Sequence, residues 1–464
     1  GCRKGNEEFS AHHFTEETEK EEEKEKEGEK KIKSGLGNSG MPMFILPHPS
    51  IEEITDIICS CRRGNRNSVY TTIMSLHTYL CRIGLCAHSS VGNDLVSLLL
   101  EVGNVDGAQC LFDKLVYRDS SSWNSLITVY SNCGELSHAF NLFQKVQCDG
   151  TINVTPTTFV ALLKACAKAQ DLIKGMEVHT SVSSSQLLET DVFVGSMIVD
   201  MYAKCGALHL AQKAFNNIRG RDVVSWTALI DGYTEYGQGA SAIKCYEQMR
   251  LENVTPNSIT FVCGLKACGS IGITDKGIKI HSEIERKGCL PETNIVLGNA
   301  LLDMYTKAGL LSSAEKLFGK LPHRDSVSWN ILIDGYVHRG EIENVFRSFH
   351  SMQTDGMHPD YVTFIILLKA CSRARLRIKS QTYFDIMSQD YGILPTIKHY
   401  TCVVDLLGRE GRLDKALEMI RKGPLFPNLV TWRTMLEACR YWGNLELGKY
   451  VFEYAKQSGP LKPF

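Results

Sequence analysis

The chain has 464 residues, 43% of them hydrophobic and 22% charged, which is enough apolar material to bury a sizeable core. Its formal net charge is −1, and outside residues 1–40, which hold 8 Lys+Arg and 11 Glu, basic and acidic residues nearly balance at 43 to 41, so overall charge does not single out a polyanionic partner. No apolar run approaches the roughly 20 residues of a membrane-spanning helix, and 17 cysteines without a single Cys-x-x-Cys pair argue against the common structural zinc frameworks.

Residues 1–50 read as a disordered, charged segment and linker. EETEKEEEKEKEGEKKIK at 16–33 is a charge run, too acidic for an organelle transit peptide. SGLGNSG at 34–40 lacks the Lys-Ser/Thr and the strand-helix setting of a phosphate loop, and Met41, opening MPMFILPHPS, is a candidate translation start. From 51 to 88 lies a degraded helical unit that ends in LHTYLCRIGLCAHS.

A clear register begins at residue 89. Units follow at 89–119, 120 to about 155, about 156–191, 192–222, 223–257, 258–294, 295–325, 326–360, 361–396, a divergent 397–428, and a last helix pair at 429–460. Trp123, Trp226, Trp329 and Trp432 recur at intervals of 103 residues, and Asp119, Asp222 and Asp325 keep the same interval. So strict a period marks a repeat protein.

The unit at 223–257 serves as the type. Trp226, Leu229, Ile230 and Tyr233 fall at i, i+3, i+4 and i+7 of a helix that Ser225 is placed to cap and Gly237 to end. Ala242, Ile243, Tyr246 and Met249 repeat the pattern in a second helix, and Thr255-Pro256-Asn257 breaks it. Two short helices cannot bury their apolar faces alone, so the hairpin predicts an all-α solenoid of stacked copies.

Several conspicuous residues fit into this frame. Cys166, Cys268 and Cys371 share a Lys-Ala-Cys tripeptide, Cys133 and Cys205 a slot before glycine, and all read as small buried residues in a reducing compartment. The repeated tryptophans lie on the apolar stripe and read as core. His281-x-Glu283 opens a zinc-deaminase signature, yet no Pro-Cys-x-x-Cys follows it, so the pair reads as exposed positions of a second helix. No catalytic residue, metal or cofactor is assigned, and the chain is not read as an enzyme.

Taken together, the alternation of 35-, 37- and 31-residue units, the Leu-Lys-Ala-Cys motif, the Asp-Met-Tyr-x-Lys at Asp200 and Asp303, and Leu-Leu-Gly-Arg-x-Gly-Arg at 406–412 resemble the plant pentatricopeptide repeat family. More narrowly, the chain resembles the PLS subclass, in which standard, long and short repeats alternate. The resemblance covers 51–428 as about 11 repeats, the first degenerate. Residues 429–460 look like the E1 motif and 461–464 are a tail; no DYW deaminase domain is recognised. It implies a right-handed superhelical α-solenoid binding single-stranded RNA at one base per repeat.

In this family the fifth and last residues of a repeat meet the base. Carried over, Asn93 with Asp119 would select U, Asn124 a pyrimidine with its partner left open at a blurred boundary, Ser196 with Asp222 G, and Thr227 with Asn257 A. Asn299 with Asp325 and Asn330 with Asp360 would each select U, and Thr401 with Asn428 A. The long units place Val160, Val262 and Ile365 at the fifth position, where no base is read, giving 5′-U-Y-n-G-A-n-U-U-n-A-3′. Asn, Thr, Ser and Asp at such positions also fit plain helix capping.

The resemblance further implies a role in organelle RNA metabolism, the mitochondrion ahead of the chloroplast, most simply as a site-recognition factor for C-to-U editing. The partners would be single-stranded organelle RNA and, through the C-terminal region, a DYW-type deaminase or other editing factors, with no membrane partner. The alternatives are a splicing, stability or processing factor and, from another class, a protein-interaction solenoid.

Overall fold

The computed structural model describes residues 66–82, 89–150, 152–185, 187, 191–288, 294–422 and 427–457. The charged segment at 1–50, most of the degraded unit and the tail at 461–464 therefore lie outside the described residues. Those described form 23 α-helices and no strand, so the architecture is all-α.

The chain divides into two compact units, residues 1–122 and 123–464. The first contains α1 (Arg66–Arg82), α2 (Ser89–Glu101) and α3 (Val105–Lys114), and α4 (Ser120–Cys133) begins within it. The second continues with α5 (Leu136–Asp149), α6 (Pro156–Ala169), α7 (Leu172–Ser184), α8 (Val192–Lys204), α9 (Leu208–Asn217), α10 (Val223–Glu235), α11 (Gly239–Leu251), α12 (Ser258–Ile271) and α13 (Thr274–Arg286). It closes with α14 (Ile295–Lys307), α15 (Leu311–Lys320), α16 (Ser326–Arg339), α17 (Ile342–Thr354), α18 (Tyr361–Arg373), α19 (Arg377–Gln389), α20 (Ile397–Arg409), α21 (Leu413–Lys422), α22 (Leu429–Tyr441) and α23 (Leu445–Gln457).

In the second unit the first helix of a hairpin packs against its own second helix and against the first helix of the next hairpin, as in α8, α10, α12 and α14. This is the solenoid the periodicity predicts, with α22 and α23 adding one more hairpin. Second helices come in two lengths. α3, α9, α15 and α21 have 10 residues, whereas the other second helices have 13 or 14. The 31-residue units are short for this reason.

Packing follows the apolar stripe. Trp226, Leu229 and Ile230 are almost fully buried, as are Ala242, Ile243, Tyr246 and Met249. Trp226 meets the ring of Phe215 edge-on at 4.5 Å and Trp329 that of Phe318 at 4.7 Å, geometries that favour aromatic pairs. First helices approach closely because a glycine faces the neighbour. A Cβ on Gly232 would lie 2.6 Å from the Ala203 Cβ.

Four sequence expectations need correction. Asp222, not Ser225, caps α10: its carboxylate accepts the Ser225 N–H at 2.8 Å, because the helix begins at Val223 and Ser225 is already within its first turn. Cys133 is exposed and Cys205 only half-buried, since their slot lies at the helix end, whereas Cys166, Cys268 and Cys371 are buried as expected. Burial pushes the Cys166 and Cys371 thiols up to about 12. Glu283 is buried rather than exposed. It pairs with Arg250 at 3.2 Å and Lys287 at 3.5 Å and accepts from the Tyr246 hydroxyl at 3.3 Å. His281 is half-buried too, its Nδ1 lying 2.7 Å from the Tyr305 hydroxyl.

Candidate nucleic-acid interface

The last residue of each unit is the N-cap of the next first helix. Asp222, Asn257, Asp325, Asp360 and Asn428 each accept the backbone N–H of the third residue of that helix at 2.8–2.9 Å. In the first compact unit Asp119 does the same for Ser122 at 2.8 Å. The cap satisfies an orphan N–H and fixes one carboxylate or amide oxygen inward.

The fifth residue lies beside that cap. Asn299 donates through Nδ2 to Asp325 Oδ1 at 3.1 Å, and Asn330 to Asp360 Oδ1 at 3.0 Å. Ser196 Oγ lies 3.2 Å from Asp222 Oδ1. Asn93 accepts the Asp119 N–H at 3.4 Å and donates to the Tyr117 carbonyl at 3.2 Å. The Thr260 hydroxyl joins Thr227 to Asn257, 2.7 Å from one and 2.9 Å from the other. Thr431 joins Thr401 to Asn428 at the same distances.

The open partner of Asn124 is now resolved. Thr155 caps α6 and its N–H donates to Asn124 Oδ1 at 3.0 Å, so Thr155 is the last residue of that unit. The blurred boundary concealed it because the loop differs in length from its counterparts.

A third participant was not anticipated from the sequence. Ser122, Thr158, Ser225, Thr260, Ser328, Thr363 and Thr431, each the third residue of a first helix, bury a hydroxyl beside these pairs, none more than 3% exposed. Those of Thr260, Ser328, Thr363 and Thr431 bond the fifth side chain, whereas those of Ser122 and Ser225 donate to the backbone carbonyls of Asn93 and Asp222 and that of Thr158 lies 2.9 Å from the Thr155 hydroxyl. After the long units the same position holds Val194, Leu297 or His399. The signal was present as a Ser or Thr at the third position of the unit that follows each polar fifth residue, but a hydroxyl at a helix start reads first as a cap.

An arginine is anchored just before the cap after two of the short units. Arg221 lies 4.9 Å over the Phe215 ring and Arg324 4.8 Å over Phe318, and Arg324 Nε also donates to the Phe318 carbonyl at 3.1 Å. Each immediately precedes a capping aspartate. Asp325 shows the electrostatic outcome: burial opposes its charge, but hydrogen bonds from Ser328 and Asn299 outweigh that and hold its carboxyl below the usual range.

The pair's outward face follows. Asn299 is 9% and Asn330 6% exposed, with the amide oxygens turned inward. Among the described residues these bonds use one amide N–H of each asparagine and the Oδ1 of Asp325 and Asp360, and no bond is formed by the second N–H or by Oδ2. In six of the first helices the second residue adds exposed apolar surface: Phe193, Val224, Ile259, Val296, Val327 and Val430. Packed first helices lie about 8–10 Å apart, which leaves room for a flat ring in contact at about 3.5–4 Å with an apolar group on either side. Four and eight residues beyond the fifth position, on the same helical stripe, the short units carry Asp200–Lys204, Asp303–Lys307 and Asp405–Arg409 ion pairs.

Val160, Val262 and Ile365 present no polar group at their fifth positions; of the caps beside them, Asp191 and Asn294 accept backbone N–H groups of their own helices, and the Thr396 hydroxyl lies 2.8 Å from His399 Nδ1. Among the described residues no cluster of His, Cys, Asp or Glu is arranged to hold a metal ion, and no helix is long and apolar enough to cross a membrane.

A stack of helical hairpins with a cap-and-fifth-residue pair repeated along it defines a helical-repeat solenoid of the tandem-motif class. The PPR repeat family model matches residues 221–270 and 324–373, and the PPR repeat model residues 121–151, 299–325 and 398–422. Pentatricopeptide repeat-containing protein At4g33990 of Arabidopsis thaliana is 34% identical over 388 residues, 83% of this chain and 47% of its own length. Pentatricopeptide repeat-containing protein At1g15510, chloroplastic, from the same plant, is 32% identical over 441 residues, 92% and 49% respectively. The chain carries repeats that match the PPR repeat family and is similar to plant pentatricopeptide repeat-containing proteins, and it spans about half the length of the curated relatives it matches. In fold it is similar to the pentatricopeptide repeat protein PPR10 in complex with an 18-nt psaJ RNA element, with a TM-score of 0.66 at 17% identity over 90% of this chain and 65% of that one.

Proposed function

We propose that the chain binds single-stranded RNA in a plant organelle and reads its sequence, one base to each polar pair. The observation that carries this is the Asn–Asp pair, which leaves one N–H donor and one carboxylate acceptor facing outward between exposed apolar side chains. Uracil offers an acceptor carbonyl next to its N3–H donor, so the pair complements it. Cytosine sets a lone pair against the carboxylate and is rejected. Asn257 turns its oxygen inward to Thr260 and faces its NH2 outward, which suits the N1 acceptor of adenine. Asp222 supplies an acceptor for the N1–H of guanine. These assignments support U, Y, G, A, U, U and A in the order of the chain.

The alternation of ten-residue and longer second helices supports the PLS subclass, and the hairpin at 429–457 is assigned as E1-like. On that assignment the protein selects a cytidine a few nucleotides 3′ of the bound sequence for C-to-U editing, and a separate deaminase performs the chemistry. A relative named chloroplastic supports an organelle but lends no weight to the mitochondrion over the chloroplast. Sequencing organelle transcripts from a plant lacking the gene tests the proposal. Loss of editing at a cytidine just 3′ of the deduced sequence is the expected result; intact editing with altered splicing or transcript ends would favour a processing factor.

A further inference from the structure

The buried hydroxyl at the third position of each following helix does more than cap that helix. Capping needs only the cap's oxygen and the third residue's N–H, and Asp191 and Asn294 cap α8 and α14 where that residue is Val194 or Leu297. The hydroxyl is present where the preceding fifth residue is polar and missing where it is Val160, Val262 or Ile365. Its presence tracks the reading residue, not the cap.

The geometry gives the reason. Ser328 Oγ lies 2.7 Å from Asn299 Oδ1 and 2.8 Å from Asp325 Oδ1, and Thr363 Oγ1 lies 2.7 Å from Asn330 Oδ1 and 3.0 Å from Asp360 Oδ1. Both hydroxyls are 0% exposed. The amide oxygen of the fifth residue thus points inward onto the hydroxyl while Nδ2 bonds the cap, and one N–H is left facing outward. Remove the hydroxyl and the amide oxygen is buried with no donor, an arrangement that side chains avoid by rotating toward water. A rotated amide shows its carbonyl to the base as readily as its N–H. In the threonine units the same atom bridges fifth residue and cap, Thr260 between Thr227 and Asn257.

We infer that this third-position hydroxyl, contributed by the neighbouring repeat, is a specificity-determining positioning residue where it bonds the fifth side chain, as at Asn299, Asn330, Thr227 and Thr401: it sets which face of that side chain the base meets, so those bases are read by three side chains. The inference rests on the RNA-reading proposal above.

The test uses Thr363→Val, which keeps the buried shape, Thr260→Val as a second site, and Thr363→Ser as the conservative rescue. Affinity of the full chain is measured for RNAs that carry each of the four bases opposite the 326–360 unit and, separately, opposite the 223–257 unit. Thr363→Val is expected to lower the preference for U over C at its own nucleotide by about tenfold, the scale of one misplaced buried hydrogen bond, and to leave discrimination elsewhere unchanged; Thr363→Ser retains the preference and Thr260→Val loses that for A. Unchanged base preference at the altered units, or an equal loss of affinity for all four bases, overturns the inference and leaves RNA reading intact. A wild-type chain indifferent to all bases overturns both.

Discussion

At the scale of single residues, each base is assigned by which atoms are turned inward and which are left over. Asp360 commits Oδ1 to the Thr363 and Asn330 hydrogen bonds and leaves Oδ2 as an acceptor. In Asp360→Asn the amide oxygen takes over the inward bonds and an NH2 replaces Oδ2, so the outward group becomes a donor. A donor there meets the N3 lone pair of cytosine and repels the N3–H of uracil. The expected outcome is a switch from U to C at the nucleotide opposite the 326–360 unit, measured by binding to RNAs differing at that base; a uniform loss of affinity would mean that Asp360 only caps α18. His399 makes a separate prediction. It is fully buried, with Nδ1 3.0 Å from the Thr396 N–H and Nε2 2.9 Å from the Tyr361 carbonyl. Burial lowers its pKa below 6.5, only partly opposed by the bond to Tyr361. The folded state therefore holds a neutral ring that the unfolded chain would protonate, so stability is full above pH 6.5 and falls as pH drops through and below it. His399→Leu should be less stable at pH 7 but lose less than the wild type between about pH 7 and 5; parallel melting curves would show that this histidine does not titrate on unfolding.

At the scale of helices and hairpins, close approach and capping decide where the reading residues sit. Gly232 is in a helix, where alanine ordinarily gains about 1 kcal/mol, yet its Cβ would meet the Ala203 Cβ at 2.6 Å. That atom has no rotamer by which to escape. Gly232→Ala is therefore expected to destabilise the array by about 1–3 kcal/mol, whereas Gly319→Ala in α15, with nothing within 4 Å, should stabilise it slightly; denaturation midpoints of the two variants decide. The third triplet departs from this close packing. At its long-to-short junction Ser380, Phe384 and Leu407 stand where the earlier triplets have Gly175 or Gly277, His179 or His281 and Tyr202 or Tyr305. The His–Tyr hydrogen bonds of 2.7–2.8 Å are lost there. A groove of about 750 Å³ lies between α19 and the pair α20–α21, with Ser380 and Leu407 in its lining.

At the scale of the whole molecule, the sequence already contained the architecture. A 103-residue interval in tryptophan and aspartate identified the repeat, and the i, i+3, i+4 pattern located the helices, because both are local or strictly periodic signals. What it did not contain was contact between residues about 30 apart. Thr155 was hidden by a loop of altered length, and the Ser328 and Thr363 hydroxyls looked like ordinary helix starts until α16 and α18 were set against the preceding asparagines. Glu283 looked solvent-facing from its own helix and is covered by Tyr246 and Arg250 of α11. The repeated pairs imply a register of two read bases and one unread, and the hypothesis can be put to one measurement. The purified chain is titrated with RNA carrying 5′-U-Y-n-G-A-n-U-U-n-A-3′, with an RNA in which the G and A are exchanged, and with RNAs altered only at n. The account predicts tight binding to the first, at least about tenfold weaker binding to the exchanged RNA, as expected when polar groups at two bases are left unpaired, and no change at n. Equal affinity for the first two would contradict it.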